Sequence, residues 1–351
     1  MKNNEISIKL STYIDLLRGL SAFLVLYGHI FLIFKIKDLN GILTFFSYYG
    51  FQAVLVFFVI SGFLVTKSFM NNLNNKKKNL SDYFTDRIFR IHVVLIPALL
   101  LTLCIDNFTL ILDPSNELIL RRLTTENFIG NILLLQEIYV ERYGSNGPLW
   151  SLAYEFWYYI LFPSLYIIFF SFRKRTKIIS LIVVIILLFI LPISILKYFF
   201  IWLLGALINF IPRIIFKNFW IPFILFSLMF ILSSEYFEIK YINFLYYFIM
   251  SLFLALSFNS LNNEKSKDIN KYYIRISNFF SNFSYSTYII HYPILILFSF
   301  LAIKLSTDSL EILVICLVTT YLISYLFYLL TEKNTYKLKK HFYVYFNKVN
   351  K

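Results

Sequence analysis

The sequence predicts an all-α integral membrane protein: a polytopic bundle of about ten transmembrane helices with both termini in the cytoplasm. Three observations predict it. First, 59% of the 351 residues are hydrophobic and only 15% are charged, with a mean hydropathy of +0.70; a soluble domain is about half apolar and about a quarter charged. Second, the apolar residues gather into runs close to the about twenty residues that cross a hydrocarbon core. Third, with the N-terminus placed inside, Lys and Arg are roughly threefold enriched in the alternate segments that then face the cytoplasm. The net charge of +14 is thus explained by topology, and no nucleic-acid partner is expected.

The spans fall at roughly 13–34, 44–69, 92–112, 147–171, 178–196, 198–212, 218–234, 242–260, 284–304 and 310–330. Only Lys197 separates the fifth from the sixth, which suits a tilted pair or a tight hairpin. The inner segments hold the runs Lys76-Lys77-Lys78 and Arg173-Lys174-Arg175, and Lys265 and Lys267. The longest outer loop, 113–146, carries Asp113, Glu117, Glu126, Glu137 and Glu141, and within it 128–135 reads as interfacial or re-entrant. Residues 1–332 form the membrane domain. Residues 333–351 form a tail that interleaves Lys with Phe and Tyr, a pattern suited to the anionic inner leaflet. No cleavable leader and no appended soluble domain are expected, so any chemistry is housed among the helices. The absence of an internal repeat weighs against an inverted-repeat transporter. Cys104 and Cys316 lie in apolar runs without metal-ligand spacing, and no metal is expected.

The first span, from Tyr13 to His29 and beyond, contains two residues that lipid does not tolerate. Arg18 and His29 are eleven positions apart. A step of eleven closes three helical turns to within about 20°, so both project from one face about 16 Å apart along the axis. Ionisable groups inside a span mark function by default. The second span ends Phe57-Phe-Val-Ile-Ser61-Gly-Phe63, where Ser61 and Gly62 permit close approach of a ligand or of another helix. Arg87 and Arg90, three apart where the third span leaves the inner face, suit either a phosphate clamp or snorkelling to headgroups; His92 at that boundary reads as structural. The fourth span opens Gly147-Pro148-Leu-Trp150-Ser151-Leu-Ala-Tyr-Glu155. Trp150 suits the interface, and Ser151 and Glu155 share a face. Glu155 lies at about the depth expected for His29, so the two are expected to pair; the alternative is a structural ion pair. In the ninth span Ser284, Tyr288 and His291 line one face, either in a direct role or as satisfied packing groups. No nucleophile elbow, phosphate-cradling glycine loop or haem pair is present.

Taken in order, these segments resemble the membrane acyltransferase family 3, bacterial multi-pass proteins that O-acetylate cell-surface glycans. The residues that carry the resemblance are Arg18 with ten residues to His29, Phe57-Phe-x-x-Ser61-Gly-Phe63, Arg87-x-x-Arg90, Trp150-Ser-Leu-x-x-Glu155, Ser284-Tyr-x-x-Tyr288-x-x-His291-x-Pro293, and Glu332-Lys333 after the last span. The resemblance implies a stand-alone transmembrane acyltransferase domain in the bacterial cytoplasmic membrane. It implies acetyl-CoA, or another acyl-CoA, as donor and a glycan hydroxyl presented outside as acceptor. Arg18 and His29 are then the essential pair, with Arg87, Arg90 and Glu155 in support and Ser61, Trp150, Ser151, Tyr288 and His291 as further site residues. In that reading Arg18, Arg87 and Arg90 grip the nucleotide phosphates, and His29 acts as general base or is itself transiently acylated. The rival from another class is a transporter or flippase for a lipid-linked glycan, with buried charges lining its path. A polysaccharide polymerase is less consistent with only Arg121, Arg122 and Arg142 in the outer segments.

Overall fold

A computed structural model describes residues 6–36, 39, 41–75, 79–211, 218–233, 243–262, 270–305 and 309–341. Its helices are α1 (Ile8–Phe34), α2 (Gly41–Ser47), α3 (Gly50–Asn74), α4 (Leu80–Leu112), α5 (Glu117–Arg122), α6 (Thr125–Ile132), α7 (Leu149–Phe170), α8 (Lys174–Ile190), α9 (Ile193–Leu207), α10 (Trp220–Leu232), α11 (Phe244–Leu261), α12 (Lys271–Asn282), α13 (Ser284–Leu305) and α14 (Ser309–Leu330). A 3-10 turn, Glu332–Asn334, follows. Among the described residues there is no strand, only an isolated bridge between Gln136 and Val140.

The fold is all-α and built for a membrane. Among the described residues, seven helices are long and apolar enough to cross one: α1, α3, α4, α7, α11, α13 and the helix that begins at Ser309. The other three expected spans coincide with α8, α9 and α10, which have 17, 15 and 13 residues and fall short of the about twenty that a straight crossing needs. The expected ends of the sixth to eighth spans reach into 212–217 and 234–242. Those stretches lie outside the described residues, as do Lys76–Lys78, Lys265, Lys267 and the tail from 342 onward.

Several boundaries differ from the sequence reading. The fifth and sixth spans part at Leu191 and Pro192 and not at Lys197, which lies inside α9. The second span does not begin at 44: α2 ends at Ser47 and α3 starts afresh at Gly50. Gly28 of α1 lies against that break, where a Cβ would meet the Ser47 carbonyl oxygen at 2.7 Å. The third span is the membrane part of a longer helix that begins at Leu80. Asn79 and Asp82 cap its start reciprocally, which satisfies two of the backbone donors orphaned at a helix N-terminus. Arg87 and Arg90 therefore ride a continuous helix.

Polarity is distributed as lipid requires. Large apolar side chains such as Phe189 and Ile193 face outward, while Ser286, Thr287 and His291 are fully buried. With no hydrophobic drive between helices in lipid, small residues and hydrogen bonds hold the bundle together. Prolines inside α4, α7 and α13 (Pro97, Pro163 and Pro293) are tolerated there because neighbouring groups re-satisfy the freed backbone.

The chain divides into two compact units: Met1–Gly28, Asn40–Lys77 and Tyr154–Ser284 in one, and His29–Leu39, Lys78–Ala153 and Tyr285–Lys351 in the other. In the first, α3 and α9 touch backbone to backbone. A Cβ on Gly62 would lie 2.0 Å from the Trp202 carbonyl oxygen, and one on Gly205 would lie 1.9 Å from that of Val59. In the second, the segment 144–147 is latched to α4 and α13, as described below.

Candidate active site

Arg18 and His29 are carried by one uninterrupted helix, α1, as their spacing predicts. His29 meets the second histidine of the sequence reading. Its Nδ1 lies 2.9 Å from His291 Nε2, and the two rings stack with centroids 5.1 Å apart. The Tyr292 ring stands edge-on to His29 at 5.0 Å. His291 is fully buried, and its Nδ1 faces the Tyr288 and Thr287 carbonyl oxygens at 2.8 and 3.1 Å. Tyr288, one turn earlier on α13, shares a hydrogen bond of 2.6 Å with Ser151 of α7. Within the ninth-span motif, Tyr288 thus meets the start of the fourth span and His291 meets the first.

The ring of Tyr292 is backed by the turn before α7. The Gly147 backbone faces it, with room for a Cβ 3.6 Å from the ring. That turn is held by a carboxylate buried in α4: Asp106 accepts from the Ser145 backbone N–H at 2.7 Å and from its hydroxyl at 2.6 Å. Gly144 adopts φ +55°, and a Cβ there would sit 2.0 Å from Asp106 Oδ2, so the latch requires glycine on both steric and conformational grounds. Asn146 completes it by donating to the Ile289 carbonyl at 2.9 Å and to Thr102 at 3.3 Å. Tyr143, one residue before the latch, is held protonated by burial, reinforced by the nearby Asp106. Arg122 and Arg142 lie within electrostatic reach of the Tyr292 hydroxyl, and each is oriented through its Nε by a glutamate, Glu141 at 2.9 Å and Glu137 at 2.7 Å.

Glu155 sits in a network of its own. Its Oε1 accepts from Ser61 at 2.5 Å and from Tyr159, one turn further along α7. Ser61 in turn accepts from the Trp202 indole at 3.1 Å. Ser61 and Glu155, singled out separately in the sequence, are therefore partners. Trp150 is half-buried at the start of α7.

The three arginines singled out in the sequence are placed differently from one another. Arg18 is mostly buried; Asp15 Oδ1 lies 3.9 Å from it and accepts from Ser281 of α12 at 2.8 Å. α12 packs tightly there, since a Cβ on Gly19 would meet Phe280 Cβ at 2.8 Å. Arg87 is buried with its guanidinium over the Tyr83 ring at 5.6 Å, whereas Arg90 is exposed. Lys339 pairs with the adjacent Asp86. The His92 nitrogens face the Ile88 and Ile132 carbonyls, which fits a packing role between α4 and α6.

Sequence reasoning missed Asp15, Asp106, Asn146, Tyr159, Trp202 and Tyr292. Asp106 carried a usable signal, as a carboxylate standing in an apolar run. Asp15 and Tyr159 lie three and four positions from residues already singled out. Trp202 and Asn146 gave none, because their partners are distant in sequence.

These features define a polytopic helical membrane protein with a pair of histidines, His291 fully buried and His29 partly so, hydrogen-bonded between its helices. The chain belongs to acyltransferase family 3: the family model described as an acyltransferase domain matches residues 11–329. A curated relative in Haemophilus influenzae, described only as an uncharacterized protein, is 31% identical over 137 residues, covering 37% of this chain and 55% of the relative. The chain thus spans about half the length of the curated relative it matches. No solved structure matches it.

Proposed function

We propose that this protein transfers an acyl group, acetyl being the expected one, from cytoplasmic acyl-CoA to a hydroxyl of a cell-surface polysaccharide or its lipid-linked precursor, across the bacterial cytoplasmic membrane. The observation that carries the reading is the single helix α1 with Arg18 one side of mid-helix and an imidazole at His29. An arginine fork suits a phosphate, and a half-buried imidazole suits proton transfer at the far end of an extended thioester arm. Arg87 and Arg90 supply further positive charge for the nucleotide phosphates.

In the transfer, His29 takes the proton of the acceptor hydroxyl as its oxygen bonds to the thioester carbonyl carbon. The carbon–sulfur bond then breaks, and the departing thiolate takes the proton back from the imidazolium. An acyl-imidazole intermediate on His29 divides the same exchange into two steps. Membership of acyltransferase family 3 supports acyl transfer over the transport reading. Mass spectrometry of surface polysaccharide from a deletion strain tests the proposal. O-acyl groups should disappear on deletion, return with the wild-type gene and not return with His29→Ala at matched protein level. Unchanged acylation in the deletion strain overturns it.

A further inference from the structure

We infer that His291 is a positioning residue that fixes the tautomer of His29, making His29 Nε2 the basic atom of the site. The inference rests on the acyl-transfer reading for its catalytic meaning, but its structural content stands on hydrogen-bond geometry alone. Carbonyl oxygens only accept. Both oxygens beside His291 Nδ1, those of Tyr288 and Thr287 at 2.8 and 3.1 Å, therefore require that nitrogen to carry a hydrogen. A neutral imidazole has one N–H, so His291 Nε2 bears the lone pair and accepts. The atom that it faces at 2.9 Å is His29 Nδ1, which must donate. His29 then has its hydrogen on Nδ1 and its lone pair on Nε2.

Any other assignment of the hydrogens requires an imidazolium: on His29 the charge leaves the Nδ1–H donation unchanged, and the proton that is lost on neutralisation is the one on Nε2; only a charge on His291 would let the bond run the other way. The ring is fully buried, and its nitrogens are taken by two carbonyls and a second imidazole. None of these is an anion, so a charge there has no counter-ion among its hydrogen-bond partners, and burying an uncompensated charge is costly.

The chemical consequence is directional. When His29 accepts a hydroxyl proton at Nε2, its Nδ1–H continues to donate to His291, and no hydrogen has to move first. His291 does for His29 what an orienting carboxylate does for a catalytic histidine elsewhere, but as a neutral acceptor anchored to its own helix backbone. Tyr292, edge-on to His29, restricts the ring from a second side. His291 touches neither donor nor acceptor in this scheme, and its effect is exerted through His29.

The chain contains four histidines, few enough for a direct observation. Full-length protein labelled with 15N-histidine and reconstituted in lipid nanodiscs is examined by NMR, with the His29 signals identified by their loss in His29→Gln. The wild-type protein should show His29 as the Nδ1–H tautomer. In His291→Phe, which keeps the ring and removes the acceptor, His29 should lose that single form; kcat should fall about 10²–10⁴-fold, with KM for acyl-CoA nearly unchanged. His291→Gln, which restores an acceptor oxygen near the position of Nε2, should recover at least about tenfold of that loss. A wild-type spectrum with His29 as the Nε2–H tautomer overturns the inference, whatever the variants do. So does a folded His291→Phe protein that turns over at the wild-type rate. A wild-type protein with the Nδ1–H tautomer but no acyl-transfer activity refutes the proposed function and leaves the tautomer assignment standing.

Discussion

The two polar clusters set among the helices answer the same problem in opposite ways. Around Glu155, donors converge on one carboxyl oxygen: Ser61 and Tyr159 both give hydrogens to Oε1, and Trp202 gives one to Ser61. The cluster lies beside the α3–α9 crossing, where glycines bring backbones into contact. Around His29, hydrogens are passed in one direction, from imidazole to imidazole, and the last ring is anchored on helix carbonyls. A converging network stabilises a charge and the helices that supply the donors. A directed chain leaves a basic nitrogen at one end. On the proposed reading, the same kind of hydrogen bond serves cohesion in one region and chemistry in the other.

The sharpest way to break the comparison is to remove the end of the chain. His29→Ala should reduce transfer about 10²–10⁴-fold while the protein remains inserted and soluble in mild detergent. Polysaccharide acetylation near wild type at equal protein level removes His29 from the mechanism.

Next in size is the donor grip on the same helix. Arg18→Lys replaces a planar two-pronged donor by a point charge and should weaken acyl-CoA binding about 10–100-fold, the worth of a charged hydrogen bond. Arg87→Ala should act in the same direction. Wild-type donor affinity in both purified variants, measured by calorimetry, dismisses the phosphate clamp.

A third substitution tests the latch behind Tyr292. Gly144→Ala must place a Cβ against Asp106 in a backbone conformation unfavourable to alanine, at a cost of about 1–3 kcal/mol. The Tm should fall, and turnover should fall with it because the turn backs the ring beside His29. An unchanged Tm means that the 144–147 turn is not held as described.

Most of the fold was legible because a bilayer imposes simple rules. Run length found apolar helices, seven of them among the described residues long enough to cross a membrane, and an eleven-residue step put Arg18 and His29 on one helix. What was not legible depends on contacts between distant segments. Periodicity gives no means of seeing that His291 would meet His29 across 262 positions, or that Ser61 would meet Glu155 across 94. Asp106 was legible in principle: a carboxylate among Leu, Ile and Phe needs partners wherever the chain goes, and the structure supplies Ser145. The short α8, α9 and α10 mark the other boundary of sequence reading, since hydropathy finds apolar segments but does not set how far each helix runs.

The smallest expected effect, and the one that decides what the converging cluster is for, belongs to Glu155→Gln. Glutamine keeps an acceptor oxygen in the place of Oε1, so Ser61 and Tyr159 retain their partner and Trp202 still donates to Ser61. What is lost is the charge, and with it roughly half the strength of each charge-assisted bond. If the cluster serves cohesion only, the Tm should drop by a few degrees, about 1 kcal/mol in a domain of this size, and turnover at permissive temperature should be unaffected. If the negative charge also assists transfer, kcat should fall about tenfold or more at a temperature where the variant is fully folded, with donor binding unchanged. Measuring Tm, donor affinity and kcat on the same preparation separates the two. A kcat loss that tracks the unfolded fraction assigns Glu155 to architecture alone; a loss that persists in the folded protein gives the carboxylate a part in the reaction and narrows the contrast between the two clusters.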